Sequence, residues 1–285
     1  MTPTMDRRAV VVGVDPVRPG RLALAWAADE ARLRGADLRL VVAVPPRHDV
    51  RHVDDTARHR ARRQTATEAL GSALAWAQNR QPGVRTTSAL LDGSPAGVLS
   101  GLSDGADLIV LGSRHLSRTE EFLSAGSLVV PVTATARCPV VVVGDAEHAT
   151  QETPYLVVGV DGSTSSRTAL AWAFEEADLR RCALRALAVW QPPVFTVQHD
   201  VLFQAERRLL SEMTAGWTEK YPDVRLTHEV LLGSPVEVLA DAAEHALAVV
   251  VGRRGHGGYS GMRVGSVVHG LLHRAHCPVI TVPAR

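Results

Sequence analysis

The sequence predicts an α/β protein made of two copies of one domain. Short β-branched runs alternate with helical patterns, and segments of the first half recur in the same order in the second. The recurring pairs are VVVGVD ending at Asp15 with LVVGVD ending at Asp161, ALAWA at Trp26 and Trp172, GSP at Gly93 and Gly233, and CPV at Cys138 and Cys277. The offset between pairs shrinks from 146 to 139 residues along the chain, as a duplication with small deletions would produce.

The second copy shows the element pattern clearly. The apolar run Tyr155–Val160 predicts a strand buried on both faces, and Ser163–Ser166 offers N-cap residues for a helix. Further strands are predicted at Leu184–Val189, Val224–Leu232, Leu247–Val251 and Pro278–Val282, with helices at 198–220, from Pro235 to about His245, and at 265–275. Strands of the first copy are predicted near 9–14, 38–44, 84–91, 107–111 and 139–143.

This alternation predicts a parallel sheet with helices on both faces in each copy. The polar stretch Gly144–Thr153 separates the copies, so we place the two domains at 1–145 and 154–285.

The composition excludes several classes of partner and location. The 285 residues carry a net charge of +1 and 4% aromatic residues, which gives no electrostatic or stacking reason to propose nucleic acid or a membrane surface. We find no apolar run near the roughly 20 residues of a membrane span and no signal-peptide core at the N-terminus. Three cysteines do not form a disulfide framework, so we expect a reducing, cytoplasmic location.

A glycine-rich loop follows the fourth strand of the second copy. In GRRGHGGYSGMRVGS, two residues separate Gly252 from Gly255, and nine more precede Gly265 and Ser266. Glycines let backbone N–H groups approach a phosphate without a Cβ in the way, and a helix that begins at Gly265 and Ser266 presents unpaired N–H groups to an anion. The spacing therefore indicates a phosphate site.

Neighbouring residues support this interpretation. Arg253, Arg254 and Arg263 add positive charge to the loop. Asp161 ends the first strand, so it faces the crevice at the carboxyl ends of the strands and can accept a hydrogen bond from a ribose or adenine. Each feature has an ordinary alternative, because a glycine-rich loop can be a connector and an aspartate before glycine can form a turn. Their joint occurrence favours a nucleotide site.

With these residues, 155–282 resembles a universal stress protein domain of the ATP-binding type, and the whole chain resembles the tandem form of that family. The resemblance implies two tandem Rossmann-like domains, each a five-stranded parallel sheet flanked by helices, packed about a pseudo-twofold through the fifth strands. It also implies an ATP-binding regulatory module in stress adaptation, with Mg²⁺ held through the phosphates. A second copy of the chain, as a homodimer, or an unknown protein client is then the expected partner.

The resemblance also assigns residues to the nucleotide. It implies contacts from Asp161, Val189, Gly252, Gly255, Gly265, Ser266 and Val267. The glycines, Ser266 and Val267 would meet the phosphates through backbone amides and the helix start. Asp161 would contact the nucleoside, and Val189 would lie near the adenine.

The first copy departs from this pattern. Asp15, Gly112, Gly126 and Ser127 are its corresponding candidates, but His115 stands where the second glycine belongs and ten residues then precede Gly126. Pro131 falls within the first turns of the following helix, which is unusual. This degenerate motif leaves open whether the first domain binds nucleotide.

The single lysine excludes several enzyme classes. All but one of the 31 basic residues are arginine, and Lys220 lies in TEKYPD, outside any G-K-[ST] loop or strand. No G-x-G-x-x-G follows the first strand and no G-x-S-x-G occurs, which disfavours NAD and an α/β-hydrolase. The loop from Gly252 to Ser266 also lacks an acidic residue for Mg²⁺. We therefore predict a nucleotide binder without catalytic residues.

Two alternatives stay open: a slow ATPase or phosphotransferase using His256 or Arg254, and a structural stress protein with a vestigial nucleotide site. We predict no metal site, because no HExxH motif accompanies the spaced histidines His269, His273 and His276. The run Arg58–Arg63 is predicted to be a solvated helix face, with a contact site for an anionic partner as the alternative.

Cys138 and Cys277 are predicted to be buried, small apolar side chains, and Cys182 is predicted to have no disulfide partner. Cys138 and Cys277 each precede the fifth strand of their copy, and Cys182 follows the first helix of the second. The pseudo-twofold implied by the resemblance would place Cys138 and Cys277 at opposite ends of antiparallel strands, so no bridge is expected.

Overall fold

The structure is a computed structural model that describes residues 9–46, 53–113, 128–146, 148–191, 199–256 and 264–284. The chain divides into two compact units, Met1–Asp145 and Ala146–Arg285. Each unit contains parallel strands joined by helical crossovers, so the predicted α/β fold class is confirmed.

In the described part of unit 1, the sheet has the order β3-β2-β1-β4-β5 and its neighbouring strands are parallel. Its elements are β1 (Ala9–Gly13), α1 (Arg21–Arg34), β2 (Asp37–Val44), α2 (Val53–Arg80), β3 (Thr86–Asp92), α3 (Pro95–Leu102), β4 (Ala106–Ser113), α4 (Val129–Thr135) and β5 (Val140–Gly144).

Unit 2 repeats this topology, with the order β8-β7-β6-β9-β10 and parallel neighbours among its described strands. Its elements are β6 (Tyr155–Gly159), α5 (Thr164–Arg180), β7 (Ala183–Trp190), α6 (His199–Thr214), α7 (Trp217–Lys220), β8 (Leu226–Leu232), α8 (Pro235–Ala242), β9 (Ala248–Gly252), α9 (Ser266–Arg274) and β10 (Val279–Val282).

The central strands of unit 2 are buried on both faces, which explains their continuous apolar sequences. Leu156, Val158, Val249 and Val250 are fully buried, and Phe174 of α5 packs in the same core. The chain leaves β6 toward β7 on one side and reaches β9 on the other, so the direction of winding reverses between β6 and β9. In open α/β sheets the ligand crevice lies at the carboxyl ends of such a strand pair.

The duplication extends to charged groups inside the fold. Glu30 of α1 and Glu176 of α5 are completely buried, and each accepts from the arginine four residues later, Arg34 and Arg180. A buried carboxylate is tolerated only where its charge is paired. Both units therefore use the same local device at the same position of the first helix.

The prediction of one continuous helix over 198–220 is wrong, because the segment forms two helices. α6 ends at Thr214, and Gly216 adopts a left-handed φ of 76° before α7 begins at Trp217. Glycine adopts this conformation with little cost, so the chain changes direction there. The lone lysine ends α7, where Lys220 Nζ lies 5.4 Å from the Trp217 ring centre and 5.1 Å from that of Tyr221.

The side chains predicted to be structural lie as expected. Arg58, Arg60 and Arg62 of α2 are exposed, which confirms the solvated face. Among the described helices, none combines the length and apolar character needed to cross a membrane. Cys138 and Cys277 are buried and free, as predicted, and Cys182 is also buried and free.

We expect the three thiols to resist modification in the folded protein. Burial raises the pKa of Cys138 and of Cys277 to about 12, and that of Cys182 to about 11. Because the thiolate is the reactive form, Ellman's reagent at pH 7.5 should react at least about 100-fold more slowly with the native chain than with the denatured one. A native thiol that reacts at the rate of the denatured chain would contradict this burial.

Candidate functional site

A cavity of about 330 Å³ lies at the carboxyl ends of β6 and β9, and its volume is within the range of small-molecule sites. Its lining includes every candidate that the sequence indicated in unit 2, namely Asp161, Val189, Gly252, Gly255, Gly265, Ser266 and Val267. They come from four separate elements: the ends of β6, β7 and β9 and the beginning of α9. The structure thus brings the candidates together, while their contact with a ligand stays a prediction.

The apolar wall of the cavity was missed by the sequence reasoning. It is formed by Val160, Leu187, Pro235, Leu239, Val251 and Val268. Most of these residues look like ordinary core in the sequence. Pro235 and Leu239 lie in the repeated segment GSPxxVL, which was a signal of the duplication but gave no reason to place α8 beside the cavity.

Asp161 joins two segments that are distant in sequence. Its Oδ1 accepts a hydrogen bond from the Ser163 amide at 3.0 Å, and its Oδ2 accepts one from the His256 amide at 3.2 Å. Burial raises the pKa of this carboxyl, but hydrogen bonds from Ser163, Ser166 and His256 outweigh it, so the net pKa is lowered. Asp161 is therefore ionised at neutral pH beside the glycine-rich loop.

Positions 252 and 255 require glycine, because neighbouring atoms of the protein lie where a Cβ would be. A Cβ at Gly252 would lie 2.7 Å from the carbonyl carbon and from Oγ of Ser165, and one at Gly255 would lie 2.2 Å from Asp161 Oδ2. Both distances are far below van der Waals contact. The loop can follow this path only without side chains at these two positions.

The beginning of α9 offers backbone donors to the cavity. The Gly265 amide donates to the Arg253 carbonyl at 2.9 Å, so this glycine's own N–H is engaged within the loop. Gly265 is the N-cap and has no side chain to cap the helix, whereas Ser163 caps α5 by accepting from the Ser166 amide at 3.1 Å. The first amides of a helix have no intrahelical acceptor, so those of Ser266 and Val267 are available to an anion.

Arg254 adds positive charge near this helix terminus. Arg254 and His256 line the cavity, and both are exposed at its mouth. Burial, and then the neighbouring Arg254 charge, lower the pKa of Arg253. An anion in the cavity would stabilise these adjacent guanidinium groups. Arg263 lies outside the described residues.

The main chain of Val189 forms the opposite edge of the cavity. The Val160 amide donates to the Leu187 carbonyl at 2.8 Å, so Leu187 directs its backbone groups toward β6. In a parallel strand, alternate residues direct N–H and C=O to the same side, which orients Val189 the same way. Because β6 ends at Gly159 and Val189 lines the cavity, we infer that the N–H and C=O of Val189 face the cavity.

The described residues of unit 1 differ from those of unit 2 at three corresponding places. Asp15 Oδ1 accepts from the amides of Val17 and Arg18 at 2.8 and 3.2 Å, which forms a turn. Thr164, the first residue of α5, corresponds to Arg18 in the repeat, and helix α1 begins three residues later, at Arg21. A Cβ at Gly112 would meet Ala23 at an ordinary 3.7 Å. Gly126, Ser127 and His115 lie outside the described residues.

The sequence matches the model described as "Universal stress protein family" in two stretches, residues 6–144 and 155–283. The chain belongs to the universal stress protein family.

Its relatives share the whole tandem arrangement. A universal stress protein of Mycobacterium tuberculosis is 34% identical over an alignment that covers 95% of each chain. One from Mycolicibacterium smegmatis is 32% identical over the full length of both. A solved universal stress protein from Archaeoglobus fulgidus matches with a TM-score of 0.73 at 16% identity, covering 97% of this chain and 96% of that one. This last similarity establishes a shared fold.

The histidines of this universal stress protein that the sequence singled out lie on or after α9. His269 and His273 have ring centres 4.7 Å apart, and His276 follows the helix. In the described ranges, no group of three or more histidine, cysteine, aspartate or glutamate side chains has the geometry to hold a metal ion.

We predict that Gly252→Ala and Gly112→Ala, equivalent substitutions in the two units, differ in effect. Gly252→Ala should lower the free energy of unfolding by about 1–3 kcal/mol, because the new Cβ overlaps the backbone of α5. Gly112→Ala should change it by no more than about 0.5 kcal/mol, because the site has room. Denaturant titration followed by circular dichroism measures both. Equal effects of the two variants would contradict the close approach in unit 2.

The lowered pKa of Asp161 predicts a contribution to stability that depends on pH. The ionised carboxylate stabilises the fold above its unfolded-state pKa of about 3.9, and this stabilisation is lost as pH falls through the folded-state pKa. The stability difference between wild type and Asp161→Asn should therefore be largest near pH 7 and shrink below pH 4. Urea titrations from pH 3 to 7 test it, and a difference that is constant with pH would refute the assignment.

Proposed function

We propose that unit 2 of this universal stress protein binds ATP and that the chain acts as a nucleotide-dependent regulatory module in stress adaptation. The observation that carries the proposal is that all the candidate residues of unit 2 line one cavity. On one side of this cavity, α9 begins without a side-chain cap, and on the other lies the end of β7 with the main chain of Val189. The sequence resemblance to the ATP-binding type of the family agrees with this arrangement.

The phosphate end of the cavity is built from main chain and arginine. The amides of Ser266 and Val267 offer N–H donors, and the dipole of α9 adds a partial positive charge at the same point. Arg254 contributes a full positive charge at the mouth. Lys220 lies outside the cavity lining, so this site holds an anion without lysine.

The base end is built for adenine. The N–H and C=O of Val189 present a donor and an acceptor side by side, and the Watson–Crick edge of adenine offers the complementary acceptor N1 and donor N6. Guanine presents the reversed pattern at these positions. Leu187, Leu239 and Val251 supply apolar surface for the faces of the ring.

The residues present fit Mg²⁺ only as a companion of the phosphates. Within the described lining, Asp161 is the acidic residue, and both of its oxygens already accept hydrogen bonds from backbone amides. Mg²⁺ commonly keeps several waters and takes the remaining ligands from substrate phosphates. The protein would therefore hold the cation through the nucleotide.

A regulatory role agrees with how the cavity is assembled. A ligand that joins α9, β7 and the loop after β9 stabilises the state in which these segments are ordered together. This state would then be recognised by a partner, which we propose is a second copy of the chain or a protein client. The free, buried cysteines are consistent with our proposal that the protein works in the cytoplasm.

Titration calorimetry with the full chain tests the proposed function. ATP should bind, and GTP should bind about 100-fold more weakly, because two mismatched backbone hydrogen bonds cost together about 2.7 kcal/mol. Gly252→Ala should weaken ATP binding and Gly112→Ala should leave it unchanged.

Two results would contradict the proposal. Absence of ATP binding to a folded wild-type chain would reject nucleotide regulation. Equal affinity for ATP and GTP would reject recognition of the base by the Val189 main chain.

A further inference from the structure

We propose that Asp161 acts on the nucleotide indirectly, as a positioning residue that ties the glycine-rich loop to the first turn of α5. This assignment rests on the proposed function for its ligand. It differs from the role that the family resemblance implies, in which this carboxylate contacts the nucleoside.

The two oxygens of Asp161 hold two different segments. Oδ1 accepts from the amide of Ser163, the N-cap of α5, and Oδ2 accepts from the amide of His256, which lies 95 residues further along the chain. Hydrogen bonds between an ionised acceptor and backbone amides are about twice as strong as neutral ones. The carboxylate is therefore a bridge between the end of β6, the start of α5 and the loop after β9.

The loop lies directly on this carboxylate. The missing side chain of Gly255 leaves the space that Oδ2 occupies, since a Cβ there would be 2.2 Å from the oxygen. Arg254, the residue before Gly255, makes two longer hydrogen bonds with the start of α5. Its carbonyl accepts from Ser163 Oγ at 3.5 Å, and its amide donates to Ser165 Oγ at 3.4 Å.

The tethered loop in turn contacts the phosphate end of the cavity. Gly265, the N-cap of α9, donates its amide to Arg253, two residues before the tethered Gly255. A shift of the loop would thus displace the beginning of α9 and the guanidinium of Arg254. Through this chain of contacts, Asp161 controls the position of the groups proposed to meet phosphate.

Charge supports the indirect role. An ionised carboxylate repels phosphate, and it is tolerated beside a phosphate site when amide donors offset its charge. In the turn of unit 1, Asp15 Oδ1 accepts from the amides of Val17 and Arg18, two and three residues later in the chain. The bond from the His256 amide to Asp161 Oδ2 joins residues 95 positions apart, so it reaches the loop after β9.

A thermodynamic cycle with two ligands separates the two roles. We expect Asp161→Ala to weaken ATP binding about tenfold and to leave adenosine binding within about twofold, because the loss concerns phosphate contacts. Asp161→Asn, which keeps one acceptor, should give an intermediate loss for ATP. Asp223→Ala removes an exposed carboxylate from a turn of the same unit and serves as the control. Parallel loss of ATP and adenosine affinity would overturn the proposal in favour of direct nucleoside contact.

Hydrogen exchange without nucleotide tests the tether itself. In Asp161→Ala, the amides of 252–256 should exchange at least about tenfold faster than in wild type, while they should not change in Asp223→Ala. Unchanged exchange in both variants would overturn the tether even if ATP binds. If wild type binds neither ATP nor adenosine, the proposed function fails and the ligand part of this inference fails with it, whereas the exchange result still decides the tether.

Discussion

The site depends on how closely the end of β9 approaches the first turn of α5. Gly252 lies against Ser165 with no room for a side chain, and Ser165 Oγ also reaches the Val282 carbonyl at the end of β10. This contact fixes the direction in which the loop leaves the sheet. Gly255 then lies against Asp161, and the Arg253 carbonyl accepts from the amide of Gly265 at the N-terminus of α9. The described residues of the loop and the beginning of α9 are therefore positioned relative to that one approach.

The glycines of the loop therefore have two explanations that the sequence cannot separate. Spacing alone indicated a cradle in which the backbone approaches a phosphate. The structure shows that Gly252 and Gly255 are already required by Ser165 and Asp161. A glycine that accommodates the protein's own atoms and one that accommodates a ligand look identical in a sequence, because both are defined by the absence of a Cβ.

Much of the fold could be predicted because it is encoded locally and repeated. Apolar runs gave the strands, Ser163 gave the beginning of α5, and matching segments gave the second unit. The break at Gly216 was missed because one glycine is compatible with a helical pattern, and the sign of φ is set by tertiary contacts. The bond from Asp161 to His256 and the position of Leu239 on the cavity wall were also missed. These features join segments that are far apart in the chain, and the local spacing of apolar and polar residues carries no information about such contacts.

The main-chain donor and acceptor of Val189 have a consequence for which amino acids this position tolerates. A main-chain donor and acceptor are supplied by any residue that keeps the strand straight, so position 189 is free to drift among β-branched and aliphatic residues without losing them. A side-chain substitution at this position would alter an apolar contact of the cavity and leave the main-chain donor and acceptor in place. Only changes that alter the backbone itself, such as an ester linkage in place of the amide, would alter them.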